Sequence, residues 1–111
     1  MPAQKEVFVP LFEKHNVDVV LEADGHTIKR TVPIRNDQID PTGVTYIGEG
    51  GLGVGQREPK TDRWYTNPKQ GAYIGNGHHV MLLTLKTEQM EIKTIKLSGE
   101  VVDTHTINVR N

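Results

Sequence analysis

The sequence predicts an α+β fold: one N-terminal helix, a buried strand, then a mostly antiparallel mixed sheet. Three observations predict it. Apolar residues recur at helical spacing in Ala3–His15, Val17–Glu22 is a near-continuous apolar run, and the last third holds three β-rich segments separated by short polar turns.

In Ala3–His15 the apolar stripe is Val7, Phe8, Leu11 and Phe12, with Glu6, Glu13 and Lys14 on the other side. Pro10 removes a donor and crowds the preceding turn, so a kink or a second short helix is expected there. His15 and Asn16 end the helix: asparagine is an accepted C-terminal residue, and an imidazole is favourable at that end of the dipole. In Val17–Glu22, the run Val17, Val19, Val20 and Leu21 suggests burial on both faces, as in a central or parallel strand. Thr27–Ile34 is a second extended piece, which Pro33 assigns to an edge or a strand end. Residues 35–43 are rich in turn formers (Asn36, Asp37, Asp40, Pro41, Gly43). Val44–Ile47 is a short strand leading into a glycine-rich segment, residues 48–55. Residues 56–71 form a long polar loop containing the single tryptophan, Trp64. An embedded Trp-Tyr pair favours an ordered loop. His78–Lys86, Met90–Leu97 and Val101–Val109 then read as a three-stranded antiparallel meander.

At 111 residues the chain is expected to form one domain, 1–111. Its hydrophobic fraction, 35%, and aromatic fraction, 5%, are low. That implies a thin core, or apolar surface buried against a partner. A net charge of −1 leaves no basic excess for a general nucleic-acid binder. The absence of cysteine removes disulfides, zinc–thiolate sites and thiol nucleophiles. No apolar run approaches the ~20 residues of a membrane span, and Met1–Glu6 lacks a signal-peptide core. A soluble chain, cytoplasmic by default, is the expectation.

The candidate chemistry centres on Asp24-Gly25-His26, just after the apolar run. In an extended backbone residues i and i+2 point the same way, so a carboxylate and an imidazole would converge on one point that suits Fe, Zn or Mn. Gly25 would let the backbone turn or approach a ligand closely. A catalytic metal usually needs three or more ligands, and the same residues also fit an Asp-Gly turn with a surface histidine. Lys29 and Arg30 stand close enough in sequence to meet an anion such as phosphate. Charges alternating with apolar residues also describe a solvated strand face. Arg57, Lys60 and Arg63 in the long loop offer a similar anion reading with less support. Gly48, Gly50 and Gly53 match a nucleotide-binding glycine pattern, but Val54-Gly55-Gln56-Arg57-Glu58-Pro59 is no helix start, which leaves a loop beside the site. His78 and His79 point to opposite faces of a strand, one expected buried and hydrogen-bonded, the other exposed. His105, between Thr104 and Thr106, reads as structural.

Three stretches, in order, resemble the C-terminal portion of calcineurin-like metallophosphoesterases, with the purple-acid-phosphatase-like branch the nearest in pattern. They are Val9–Glu22, then Asp24-Gly25-His26-Thr27-Ile28-Lys29-Arg30-Thr31-Val32-Pro33-Ile34, then Gly43-Val44-Thr45-Tyr46-Ile47-Gly48-Glu49-Gly50-Gly51. In that family a helix and a buried strand lead into His-x-His, then an Arg-Thr-x-Pro-Ile type segment and a Tyr-Ile-Gly-Asp-Gly-Gly type strand and loop. The resemblance covers roughly residues 5–55 well and the tail loosely. Anchored on Arg30-Thr31, Asp24 falls on the first histidine of the motif and His26 on the second. Ile28 stands where an aromatic is frequent, and Glu49 replaces the usual aspartate.

The resemblance implies half of a metallophosphoesterase sandwich, with Asp24 and His26 as metal ligands, His26 as the catalytic histidine, and a phosphate ester as ligand. The family's remaining ligand motifs, Asp-x-His, Gly-Asp and Gly-Asn-His-Asp/Glu, stand upstream of this region and have no counterpart in the 111 residues; Gly75-Asn76-Gly77-His78 is a chance echo. Two ligands would hold a divalent ion weakly, so no efficient hydrolysis is expected of the chain alone. A half-sandwich would leave an apolar face and a strand edge open, which predicts a homo-oligomer, most simply a two-fold dimer.

Overall fold

The computed structural model describes residues 2–23, 25–48 and 50–109. Among them run helix α1 (Pro2–Lys14) and nine strands: β1 (Val19–Glu22), β2 (Ile28–Arg30), β3 (Ile34–Arg35), β4 (Gln38–Ile39), β5 (Thr45–Gly48), β6 (Tyr73–Gly75), β7 (His79–Leu85), β8 (Gln89–Lys96) and β9 (Val101–Asn108). They form a four-stranded sheet in the order β1-β5-β2-β6, the β3-β4 hairpin, and a three-stranded sheet β7-β8-β9. Only the β1–β5 ladder is parallel. The fold is therefore α+β with mostly antiparallel pairing, as the sequence predicts. No helix among the described residues is long and apolar enough to cross a membrane.

Helix α1 runs through Pro10 as one element, so no second helix opens there. It ends in a left-handed residue, Asn16, at φ 53°. The Asn16 amide donates to the Glu13 carbonyl (3.2 Å) and the Val17 amide to that of Phe12 (3.0 Å). This is a Schellman closure, and it satisfies two carbonyls the helix would otherwise leave open. The apolar stripe is only half covered. Phe12 turns inward to Tyr46, with ring centroids 6.4 Å apart, while Val7, Phe8 and Leu11 stay exposed.

Two expectations about strand position are corrected. β1, expected to be a central or parallel strand buried on both faces, is parallel to β5, but it is at the end of its sheet and Leu21 is 66% exposed. For β2, expected at an edge or a strand end, the edge alternative fails: it lies centrally between β5 and β6, with Ile28 and Arg30 buried. An apolar run reports a preference for a pleated, half-buried surface and does not count neighbours. The strand-end alternative holds: β2 ends at Arg30, so Pro33 falls in the following loop, where no ladder needs its N–H.

The turn formers of residues 35–43 build the β3-β4 hairpin, in which Asn36 (φ 54°) and Asp37 (φ 57°) are both left-handed. Such a pair is the primed turn that matches strand twist. The meander appears within one residue of its predicted limits, with a register irregularity between Thr94 and Ile95.

The core is Ile28, Val32, Val44, Ile47, Ala72 and Ile92. A buried ion pair ties the two larger sheets. Arg30 Nε and Nη2 donate to Asp103 Oδ2 and Oδ1 at 2.7 and 3.0 Å, and Nη1 donates to the Gly71 carbonyl at 2.7 Å. Both side chains are about nine-tenths buried, at 9% and 10% exposure.

Candidate functional site

The Asp-Gly-His segment lies in the connection from edge strand β1 to central strand β2. Asp24, and Glu49 in the glycine-rich segment, lie outside the described residues. His26 is half-buried and takes a left-handed backbone, φ 58°. Residues i and i+2 converge only along an extended backbone, and His26 is not extended. The chain bends at Gly25, as the sequence suggests, and again at Thr27, with left-handed His26 between the two. The His26 carbonyl accepts a hydrogen bond from the Arg57 amide at 3.1 Å, which fixes the long loop against this connection. Among the described residues, no group of three or more His, Asp or Glu side chains could hold a metal ion.

Lys29 and Arg30 do not share a face, because consecutive strand residues point oppositely. Arg30 turns toward the meander, where Asp103 and Gly71 engage its guanidinium. Lys29 turns the other way and its Nζ lies 2.9 Å from Glu22 Oε1. The solvated-face alternative also fails for Arg30, which is 7% exposed.

The glycine-rich segment is a structural knot. The Gln56 amide nitrogen donates to the carbonyls of Gly51 (2.7 Å) and Val54 (3.0 Å), and its oxygen accepts from the Gly77 amide at 2.7 Å. His78 Nδ1 lies 3.2 Å from the Gly53 amide and 3.1 Å from the Gly51 carbonyl, so its tautomer decides which it bonds. His79 is buried, with Nδ1 2.9 Å from the Gly77 carbonyl. A Cβ on Gly51 would sit 2.6 Å from the His79 ring, so only glycine lets the loop approach this closely. His79 is the buried, bonded histidine expected of the pair. His78 is not the exposed one, because the loop folds over it. No helix follows the glycine pattern before Trp64, in line with the loop reading.

His105, on β9, lies beside the inter-sheet ion pair. Burial lowers its pKa below the usual 6.5, and the Arg30 charge lowers it further, against the opposing pull of Asp103. Tyr46, under α1, is pushed up to about 12 by burial and then by the Glu13 and Glu22 charges. It borders a cavity of about 540 Å³ between α1 and the four-stranded sheet, which Phe8, Phe12 and Val20 also line.

A second cavity, about 250 Å³, opens between the Asp-Gly-His connection and the long loop. Gly25 and Thr27, which flank His26, line one side, and Arg57, Lys60, Arg63 and Thr66 the other, with Lys29 at its wall. The sequence offered one signal for it: cations every third residue, 57, 60 and 63, in a loop whose Trp64–Thr66 segment forms a 3-10 turn.

No family model matches the chain, and no curated protein matches it.

Proposed function

We propose that the chain is a metallophosphoesterase-like module that does not hydrolyse phosphate esters by itself and acts as an oligomeric binding and interaction protein. The observation that carries this reading is the placement of His26: a histidine on a left-handed turn between a parallel edge strand and a central strand, tied to a second loop through its own carbonyl. Its neighbours Gly25 and Thr27 line the 250 Å³ cavity, and His26 itself does not. The ordered resemblance of residues 9–51 supplies the family, and the described donors do not make up the two-metal centre that the family's chemistry needs. Exposed Leu21, Val7, Phe8 and Leu11 support association with a second copy.

The second reading is a metal-dependent phosphate monoester hydrolase, completed by a further half or by a second copy. It is favoured by the open flank of β1, which has no strand neighbour among the described residues beyond β5. In it, Asp24 and His26 would hold Fe, Zn or Mn, and the ion would supply Lewis acidity and an activated hydroxide. A p-nitrophenyl phosphate assay with added Mn, Fe or Zn separates the two readings. The first expects no turnover above background and a dimer in sedimentation. Metal-dependent turnover that His26→Ala abolishes would establish the second, and a monodisperse monomer would remove the oligomer.

A further inference from the structure

We propose that β7 is the dimer contact of this chain: its open edge pairs antiparallel with β7 of a second copy about Leu82, joining two three-stranded meanders into one continuous sheet. The inference rests on the oligomeric reading above and names the surface that serves it. Backbone geometry is the first observation. Antiparallel partners exchange hydrogen bonds at every second residue, and the residues between turn their N–H and C=O groups the other way. The Leu97 amide donates to the His78 carbonyl at 2.9 Å and the Lys86 amide to that of Gln89 at 2.8 Å, so the even-numbered residues of β7 bond to β8. His79, Met81, Leu83 and Leu85 turn their backbone groups outward, where no partner meets them among the described residues.

The second observation is what the strand lacks. Natural proteins guard exposed edges with charge, proline, bulges or brevity. The edges of the two larger sheets differ in this respect. β1 and β6 have only four and three residues. β9 carries Asp103 and pairs with β8 through the register irregularity at Thr94 and Ile95. β7 is seven residues long and holds no Lys, Arg, Asp, Glu, Pro or Gly. Its Val80 and Leu82 are half-exposed, and Leu85 is 74% exposed. Val80 stands beside Ile95, and Ile95 beside Val101, so the apolar face continues across all three strands.

A second copy complements this edge along its whole length. Centred on Leu82, antiparallel pairing sets Met81 opposite Leu83 of the second copy and His79 opposite its Leu85, so all the outward backbone groups find partners. The two Leu82 side chains meet at the two-fold axis, in a non-hydrogen-bonded pair, where opposed side chains are closest. Val80 lies beside Thr84 of the second copy, and no like charges on the paired strands oppose each other. Each copy has one such edge, so the pairing closes at two, with the guarded β9 strands at the outer ends.

The chain has no cysteine, so a single introduced one reports its own contact. Opposed Cα atoms about 4.5 Å apart suit a disulfide. Leu82→Cys should cross-link into a dimer under mild oxidation, while Thr104→Cys, exposed on β9, should not. Sedimentation of the wild-type chain should show a dimer. Leu82→Lys, which opposes two cations at a position already half-exposed, should weaken that dimer about tenfold or more. In the wild type, the Met81 and Leu83 amides should gain hydrogen-exchange protection as concentration carries the chain from monomer to dimer. A dimer that survives Leu82→Lys, with no cross-link from Leu82→Cys, would place the contact elsewhere: it would overturn this inference and leave the oligomeric reading standing. Unchanged exchange at Met81 and Leu83 on dimerisation would do the same. A wild-type monomer at all concentrations would overturn both.

Discussion

The meander and the four-stranded sheet are built in opposite ways. Strands β7, β8 and β9 are seven or eight residues long, and each pairs with its neighbour in sequence. The four-stranded sheet has no strand longer than four residues, and it gathers them from residues 19–22, 45–48, 28–30 and 73–75. Short strands with distant partners bear loop-closure entropy for few ladder bonds. Side-chain ties accumulate where that deficit falls. Thr31 Oγ1 accepts from the Tyr46 amide, Lys29 pairs with Glu22, and Arg30 reaches 73 residues along the chain to Asp103. The loops that carry His26 and the smaller cavity belong to this second sheet. The locally paired sheet is the platform, and the tied one carries the loops with the candidate residues.

Breaking the tie is the sharpest way to test this division. Arg30→Ala would leave Asp103 buried without its partner, and removing one member of a buried pair costs about 3 kcal/mol or more. Urea unfolding should show that loss. Hydrogen exchange should localise it, with amides of β2 and β5 losing protection while those at the centre of β7 and β8 keep theirs. Equal loss in both sheets would erase the distinction. Replacing both partners, as Arg30→Met/Asp103→Leu, should recover most of the stability, because no charge is then left unpaired.

A smaller effect is expected at Gly48, where β5 ends beside β1. Its φ is +140°, and a Cβ there would run into the Glu22 carbonyl. Gly48→Ala combines a backbone that L-residues rarely adopt with a steric conflict, and should cost about 2 kcal/mol. The loss would appear as a lower Tm with exchange opening at Val19–Glu22. A variant as stable as the wild type would mean that the β1–β5 ladder yields without cost.

This contrast also explains what was legible in the sequence. The meander was read within one residue of its limits because alternation and turn residues are local signals. The primed turn at Asn36-Asp37 was likewise visible as turn chemistry. The positions of β1 and β2 within the sheet were not, because order depends on partners that a run of valines does not name. The same limit applied at the site. Lys29 and Arg30 were grouped as an anion pair, yet strand alternation divides them, and Arg30 meets a carboxylate far along the chain. At His26 the Asp-Gly pair signals a turn, but nothing in the sequence places the left-handed residue on the histidine. The Thr66 hydroxyl, which has no hydrogen-bond partner among the described residues, left no sequence trace, since only the folded loop buries it.

The gentlest probe of the junction between the two sheets is pH, through His105. Burial and the neighbouring Arg30 charge lower its pKa in the folded chain, with Asp103 pulling the other way. The unfolded chain therefore takes up a proton near pH 6.5 that the folded chain still refuses. Stability rises with pH wherever the unfolded state holds more protons. Tm should accordingly be level above neutral pH. It should fall as the pH drops below about 6.5, the ordinary histidine value, and level again once the folded form is protonated. His105→Gln should remove this component of the slope between pH 7.5 and 5.5 without moving Tm at the alkaline end by more than a fraction of the Arg30→Ala loss. Arg30→Ala supplies the counter-test. With the cation gone, burial still lowers the His105 pKa against the pull of Asp103, so the acid-side loss assigned to His105 should shrink. An unchanged slope in that variant would show that His105 titrates independently of the tie between the sheets.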